Sequence, residues 1–389
     1  MKKETKLVEA GRRKQWTSGI VNPPVYHAST VIFETVADMR EAVRNRGKAT
    51  LYYGRRGTPT HFAFQDAMCE LEGGAGCALY PSGLAAVSGA LLSFLETGDH
   101  ILMVDGVYEP TRTLCDDFLK GMGVETTYYD PMIGSGISDL IQSNTKVVFV
   151  ESPCSLTMEV QDIPAIAKAA HARGAIVLMD NTWGTPLNFK PFDHGVDVSI
   201  HAATKYIVGH SDAMLGTATA NEKCWDQLRE KSIQLGYCAA PDDVYLGLRG
   251  LRTMGLRLKQ HEENALEVAL WLKGRPEVDH VRHPAFENCP GHEVWKRDFL
   301  GSCGLFSFVM TDGYRESDLT PMLDNMELFK MGFSWGGYES LILPAHGLDK
   351  SRTTVKWQAP GPLVRLHVGL ENPEDLIADL EKGFARIGK

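Results

Sequence analysis

The stretch AIVLMDNTWGTPLNFKPFDHGVDVSIHAATKYIVGHSD, residues 175–212, decides the fold. Ala175 to Met179 is a continuous apolar run, the pattern of a strand buried on both faces, and it closes on Asp180. Val196 to Ile200 is a second short run, and beyond it, after a hydroxyl at Thr204, stands Lys205. Gly, Pro and Asn between the runs mark turns. Successive buried strands predict an α/β sheet with mostly parallel order. In such sheets ligands collect outside the carboxyl ends of the strands. An aspartate and a lysine are therefore carried to one place.

Working outward, the runs Cys77 to Tyr80, His100 to Val104 and Lys146 to Val150 read as further strands, with Ser82-Gly83, Tyr108 and Glu151-Ser152 just past their ends. Pro241 to Lys273 reads as a helix, expected to break near Gly250 and Gly255. Gly304 to Val309 and Leu363 to Val368 read as later strands. A closing helix is announced by Asn372, Pro373, Glu374 and Asp375, an N-cap followed by proline and acids. Residues 1–60 show weak periodicity and many Gly, Pro and Arg, so they are expected to form an extended arm on a neighbouring subunit. The expected organisation is that arm, a cofactor-binding α/β domain over 61–250 and a smaller α+β domain over 251–389.

A chain of 389 residues is long for one core, consistent with two domains. Its hydrophobic share of 43% and charged share of 23% are those of an ordinary globular protein. A net charge of −9 without a long basic run argues against nucleic acid or an anionic membrane as partner and favours a small molecule. No apolar run approaches the roughly 18 residues of a membrane span, and the basic start lacks a signal-peptide core. Eight cysteines without a C-x-x-C pair or a His/Cys ligand cluster suit neither a metal site nor a disulfide scaffold, and a cytoplasmic protein with reduced thiols is expected.

Several constellations could carry chemistry. Ser82-Gly83-Leu84 opens an Ala/Leu-rich helix whose free N–H groups suit a phosphate; the same sequence serves an ordinary strand-to-helix turn. Tyr53, Arg55 and Arg56 gather phosphate-binding side chains at the end of the arm, in what could equally be a solvated basic loop. Tyr108 could lie on a flat cofactor or simply pack. Arg365 alternates with apolar neighbours, either as a bidentate carboxylate clamp or as an edge-strand charge. An acid and a lysine at adjacent strand ends are the two protein groups that pyridoxal phosphate (PLP) needs, one for its pyridine nitrogen and one for its aldehyde carbon. A dinucleotide-binding or non-catalytic protein with a solvent-facing Lys205 is the alternative of another class, although Gly73 to Gly76 lacks the dinucleotide spacing.

Three strings are more specific: Tyr53-Gly54-Arg55-Arg56-Gly57-Thr58; Ala203-Thr204-Lys205-Tyr206 with Gly209-His210-Ser211-Asp212; and Ser334-Trp335-Gly336-Gly337-Tyr338-Glu339-Ser340-Leu341. By these strings, and nearly end to end, the chain resembles the Cys/Met-metabolism PLP enzymes of aspartate-aminotransferase-like fold (fold type I). The resemblance implies that Lys205 binds the cofactor and serves in catalysis with Tyr108 and Tyr53. It implies that Asp180 pairs with the ring nitrogen and Tyr108 stacks on the ring. The phosphate would be held by Ser82, the amides of Gly83 and Leu84, Thr204, and Tyr53 and Arg55 from the adjacent subunit of a homotetramer. Arg365, Ser334 and Trp335 would bind the substrate's α-carboxylate, and Arg56 its distal carboxylate. The implied activity is a carbon–sulfur β-lyase cleaving L-cystathionine to homocysteine, pyruvate and ammonia in methionine biosynthesis. The γ-lyases, γ-synthases and methionine γ-lyases of the family are the alternatives. Two positions depart from the pattern: Ala202 where many members have serine, and Phe333 where a tyrosine is expected.

Overall fold

In the computed structural model, which describes residues 1–387, the apolar runs assemble into two sheets. The larger contains β1 (Gly76–Tyr80), β2 (His100–Val104), β3 (Glu125–Tyr129), β4 (Thr145–Glu151), β5 (Ile176–Asp180), β6 (Val198–Ala202) and β7 (Gly216–Ala220), in the order β1-β7-β6-β5-β4-β2-β3. Strands β2 to β6 pair in parallel, whereas β7 lies antiparallel between β1 and β6. The smaller sheet, wholly antiparallel, contains β8 (Val278–Arg282), β9 (Leu305–Met310), β10 (Leu341–Pro344) and β11 (Leu363–His367), in the order β10-β11-β9-β8. This is the mostly parallel α/β domain with a smaller α+β partner that the sequence predicts.

The helix Pro241–Lys273 joins the two, and it is unbroken at Gly250 and Gly255, contrary to expectation. Gly250 has a packing reason instead: a Cβ there would run into the carbonyl oxygens of Ile207 and Val208. The helix gives Leu258 and earlier residues to the core around the large sheet, and Ala265 and later ones to the core around the small sheet. The expected 250/251 division thus falls inside a continuous helix, ahead of the point where one core gives way to the other.

The arm is only partly extended. Its first helix, Lys3–Glu9, buries Leu7, and Ala10 and Trp16 are buried as well. Arg252 donates to the carbonyls of Leu7 and Ala10 at 2.8 Å each, and Trp16 donates to Asp66 at 2.7 Å. These contacts hold the first residues on their own chain, which corrects the picture of one continuous arm reaching outward. Farther along, Ile20, Val21, Ile32 and Val36 are all exposed, and the amphipathic helix Val36–Arg44 buries none of its residues. No helix among the described residues is long and apolar enough to cross a membrane.

Candidate active site

Asp180 closes β5 beside Glu151, the last residue of β4, and opposite Ile200 of β6. Its Oδ1 accepts the Thr182 N–H at 3.0 Å and the Thr182 hydroxyl at 2.5 Å, an Asx-type turn. The Thr182 hydroxyl in turn accepts the Ala202 N–H at 2.9 Å, so the two strand ends are tied together. Oδ2 of Asp180 has no hydrogen-bond or ion-pair partner among the described residues. Burial pushes the Asp180 carboxyl up from its usual range, opposed by the Thr182 bonds and the charges of His201 and Lys205. A buried carboxylate with a free oxygen is costly unless a donor or cation meets it.

Lys205 lies just past β6, and its Nζ donates to Ser334 Oγ at 2.6 Å while standing 5.4 Å from the centre of the Trp335 ring. Gly336 makes this approach possible: at φ +88°, a Cβ would press on the backbone of Lys205 and Tyr206 at 2.9 Å. Burial pushes the Lys205 amine down to about 8, with Arg365 adding to the effect and Asp180 opposing it. Arg365 comes from an interior strand of the small sheet, so the edge-strand alternative falls. Its Nη2 donates to the Ser334 carbonyl at 3.1 Å, and its Nε is buried without a partner among the described residues. Ser334, at φ +85°, therefore meets Lys205 with its hydroxyl and Arg365 with its carbonyl.

Tyr108 is 46% exposed, and its backbone N–H donates to Glu151 Oε2 at 2.8 Å. Its phenol is pushed up by burial and by the charges of Glu151, Asp180 and Glu109, while Arg365 opposes them. Ser82 caps the helix Gly83–Phe94 by accepting the Ala85 N–H at 3.1 Å. The first-turn amides of Gly83 and Leu84 have no partner within the helix. A Cβ on Gly83 would collide with Ala202, so the absence of a side chain there lets this helix start seat against the end of β6. Ala202, the departure from serine, fills that contact. The Thr204 hydroxyl is engaged with Leu215, accepting its N–H at 2.9 Å and donating to its carbonyl at 3.2 Å.

Lys205, Asp180, Tyr108, Arg365, Ser334 and Trp335 thus share one cleft, with Ser82, Gly83 and Leu84 at its rim. Tyr53, Arg55 and Arg56 do not join it within their own chain. Arg55 donates to the Ile233 carbonyl at 3.0 Å, and both arginines line a separate cleft with Arg229 and Tyr237. Tyr53 is 42% exposed, and Phe333, the other departure, is 93% exposed. Sequence reasoning missed Thr182 and the role of Glu151. The spacing of Asp180 and Thr182, which permits a side-chain turn, was the available signal for Thr182; for Glu151 there was only its place at a strand end.

A family model described as Cys/Met metabolism PLP-dependent enzyme matches residues 4–385. The chain belongs to that family. It is 52% identical to a cystathionine beta-lyase of Escherichia coli strain K12, covering 99% of each chain, and 50% identical to a cystathionine beta-lyase of Haemophilus influenzae, covering 98% of each. A cystathionine gamma synthase from Xanthomonas oryzae pv. oryzae superposes with a TM-score of 0.88 at 31% identity, over 100% of this chain and 98% of the other. As a member of the family the chain is a PLP-dependent enzyme, and its residues fit the cofactor. A carboxylate oxygen of the half-buried Asp180 lacks a hydrogen-bond partner where a ring nitrogen would need one, a depressed lysine stands a strand away, and a helix start with free amides closes against the same strand end.

Proposed function

We propose that the chain cleaves L-cystathionine by eliminating the thiol from its Cβ, giving homocysteine and a three-carbon fragment that water converts to pyruvate and ammonia, as a cytoplasmic homotetramer serving methionine biosynthesis. The observation that carries this reading is the Trp335 ring against the Lys205 amine, with Ser334 and Arg365 alongside. That indole narrows the space above the lysine and favours the shorter, cysteine-derived half of the substrate. The names of relatives at 50% identity or more over nearly the whole chain agree with it.

PLP, when bound, supplies the electron sink that makes the substrate's Cα–H acidic and lets the Cβ–S bond break. The places of the chain's own groups support the following roles. The free oxygen of Asp180 would accept the pyridine N–H, and the amides of Gly83 and Leu84 with Ser82 and Thr204 would hold the phosphate. Tyr108 would cover the ring. Arg365 takes the α-carboxylate, and Ser334 orients both Arg365 and Lys205. Because the Lys205 amine is already lowered to about 8, it can be neutral when free and accept the Cα proton, then return a proton to the departing sulfur. Tyr53 and Arg55 reach the phosphate of an adjacent subunit, with Arg56 near the distal carboxylate. The exposed apolar side chains of residues 20–43 support this, since they have no cover on their own chain.

The γ-acting members share the fold, as the superposition with a γ-synthase makes plain, so the fold does not choose the bond. Product analysis does. Cystathionine is expected to yield pyruvate with homocysteine; 2-oxobutyrate with cysteine as main products would overturn the β-lyase reading.

A further inference from the structure

Glu151 and Asp180 are ladder partners, so two carboxyl groups stand side by side at the floor of the cleft on strands about 4.8 Å apart. Glu151 Oε2 accepts the Tyr108 N–H at 2.8 Å; Oε1 has no hydrogen bond, and no lysine or arginine pairs with either oxygen, among the described residues. The strand end is itself fixed, because Gln161 donates to the Glu151 carbonyl at 2.6 Å. The Tyr108 N–H that Glu151 holds belongs to the residue preceding the short helix Glu109–Thr113, at the turn that sets the direction of the Tyr108 side chain.

We propose that Glu151 is a positioning residue: it stays a neutral acid beside Asp180, leaving the pair's single negative charge on Asp180, and it fixes Tyr108 over the cleft through the Tyr108 N–H. Two neighbouring carboxyl groups in a partly dry site do not both ionise without large cost. Burial first, and the Asp180 charge second, push Glu151 well above the carboxylate range, with only the Tyr108 N–H opposing. The groups facing it are Asp180 from β5, Tyr108 from the loop after β2 and Cys154 from the turn after β4, and the charges of Glu109, Lys205 and Arg365 reach the same cleft. Asp180 is the better site for the charge because Thr182 donates two hydrogen bonds to it.

This inference rests on the reading of Tyr108 as the residue covering the cofactor, so the first test avoids the cofactor altogether. A neutral Glu151 has a folded pKa above its unfolded value of about 4.3. Above that pH the unfolded chain releases a proton that the folded chain retains, so the wild type loses stability as pH rises. Urea unfolding of PLP-free wild type and Glu151→Gln is compared from about pH 5 to about pH 7. The glutamine chain, with no proton to hold, should gain on the wild type as pH rises. A gap between the two chains that stays constant over this range would mean a Glu151 already ionised in the folded chain and overturn the proposal. In the second test, Glu151→Gln should retain PLP like the wild type, because an amide oxygen still accepts the Tyr108 N–H. Glu151→Leu should bind PLP about five- to tenfold more weakly, the worth of one such bond. Equal retention by Gln and Leu would overturn the positioning role. A wild-type chain that takes up no PLP would overturn the functional reading instead, and the unfolding comparison would still decide whether the Glu151–Asp180 pair holds a proton.

Discussion

Asp105 and Asp180 both stand at the carboxyl end of the large sheet, yet one is saturated with donors and the other is not. Asp105 follows β2 and accepts from Arg112 Nη2 at 2.7 Å, the Thr353 N–H and hydroxyl at 3.0 Å each, and the N–H groups of Thr354 and Val355 at 3.0 and 3.1 Å. Arg352 Nε stands 3.4 Å away. Burial alone would raise its pKa, but the amides of 353–355 and Arg112 outweigh it and hold the carboxyl low. Asp180 receives donors from Thr182 alone and is pushed the other way. Burial pushes both carboxyl groups up, so the opposite outcomes lie in their partners. The saturated carboxylate clamps a loop of the small domain onto the large one, and the unsaturated one is left for a ligand.

The contrast can be broken at either end. Lys205→Ala should have the largest effect, a loss of turnover beyond the roughly 10²- to 10⁴-fold that proton transfer alone provides, since cofactor attachment is lost too; steady-state pyruvate release measures it. Asp180→Asn should keep the fold and lose about 10²- to 10³-fold in kcat, the scale for removing one preorganised electrostatic group. Near-normal turnover by PLP-loaded Asp180→Asn would show that its free oxygen is not a ligand position.

Asp105→Ala should act on stability first. It leaves the buried Arg112 without its carboxylate partner and frees the N–H groups of Thr353, Thr354 and Val355, at a cost of about 3–5 kcal/mol in urea unfolding. Because the folded pKa of Asp105 is depressed, its contribution is present above the unfolded value of about 3.9 and disappears as pH falls through the folded one. The gap between wild type and Asp105→Ala should accordingly narrow below about pH 4. The smallest effect belongs to Lys205 in PLP-free protein. Between its folded value of about 8 and its ordinary 10.5, the unfolded chain holds a proton that the folded chain has released, so stability should rise with pH across that window. In Lys205→Met that rise should be absent.

Apolar runs made β2, β4, β5, β9 and β11 legible from sequence; the residues at and beyond the ends of the large-sheet runs located Asp180, Lys205 and Tyr108, and Arg365 stood out as the charge within the β11 run. β7, Gly216–Ala220, was not legible, because its run of Gly, Thr and Ala carries no hydrophobic pattern. Gly216 is small because a Cβ would strike the Ser82 carbonyl, a contact between residues distant in the chain. Gly250 misled for the same reason, resembling a helix break while serving a close approach to Ile207 and Val208. Thr182 and Glu151 were overlooked as functional because their roles lie in hydrogen bonds to other side-chain or backbone groups, which periodicity does not report. Tyr53 and Arg55 were singled out by their phosphate-binding chemistry and their string, and within its own chain Arg55 is held by Ile233 at a separate cleft.

The most direct measurement is to reduce the PLP-loaded protein with borohydride, digest it and map the pyridoxyl label. The label should sit on Lys205, in the peptide that also holds Thr204 and Tyr206. A label on any other lysine would contradict the assignment of this strand-end pair as the cofactor site.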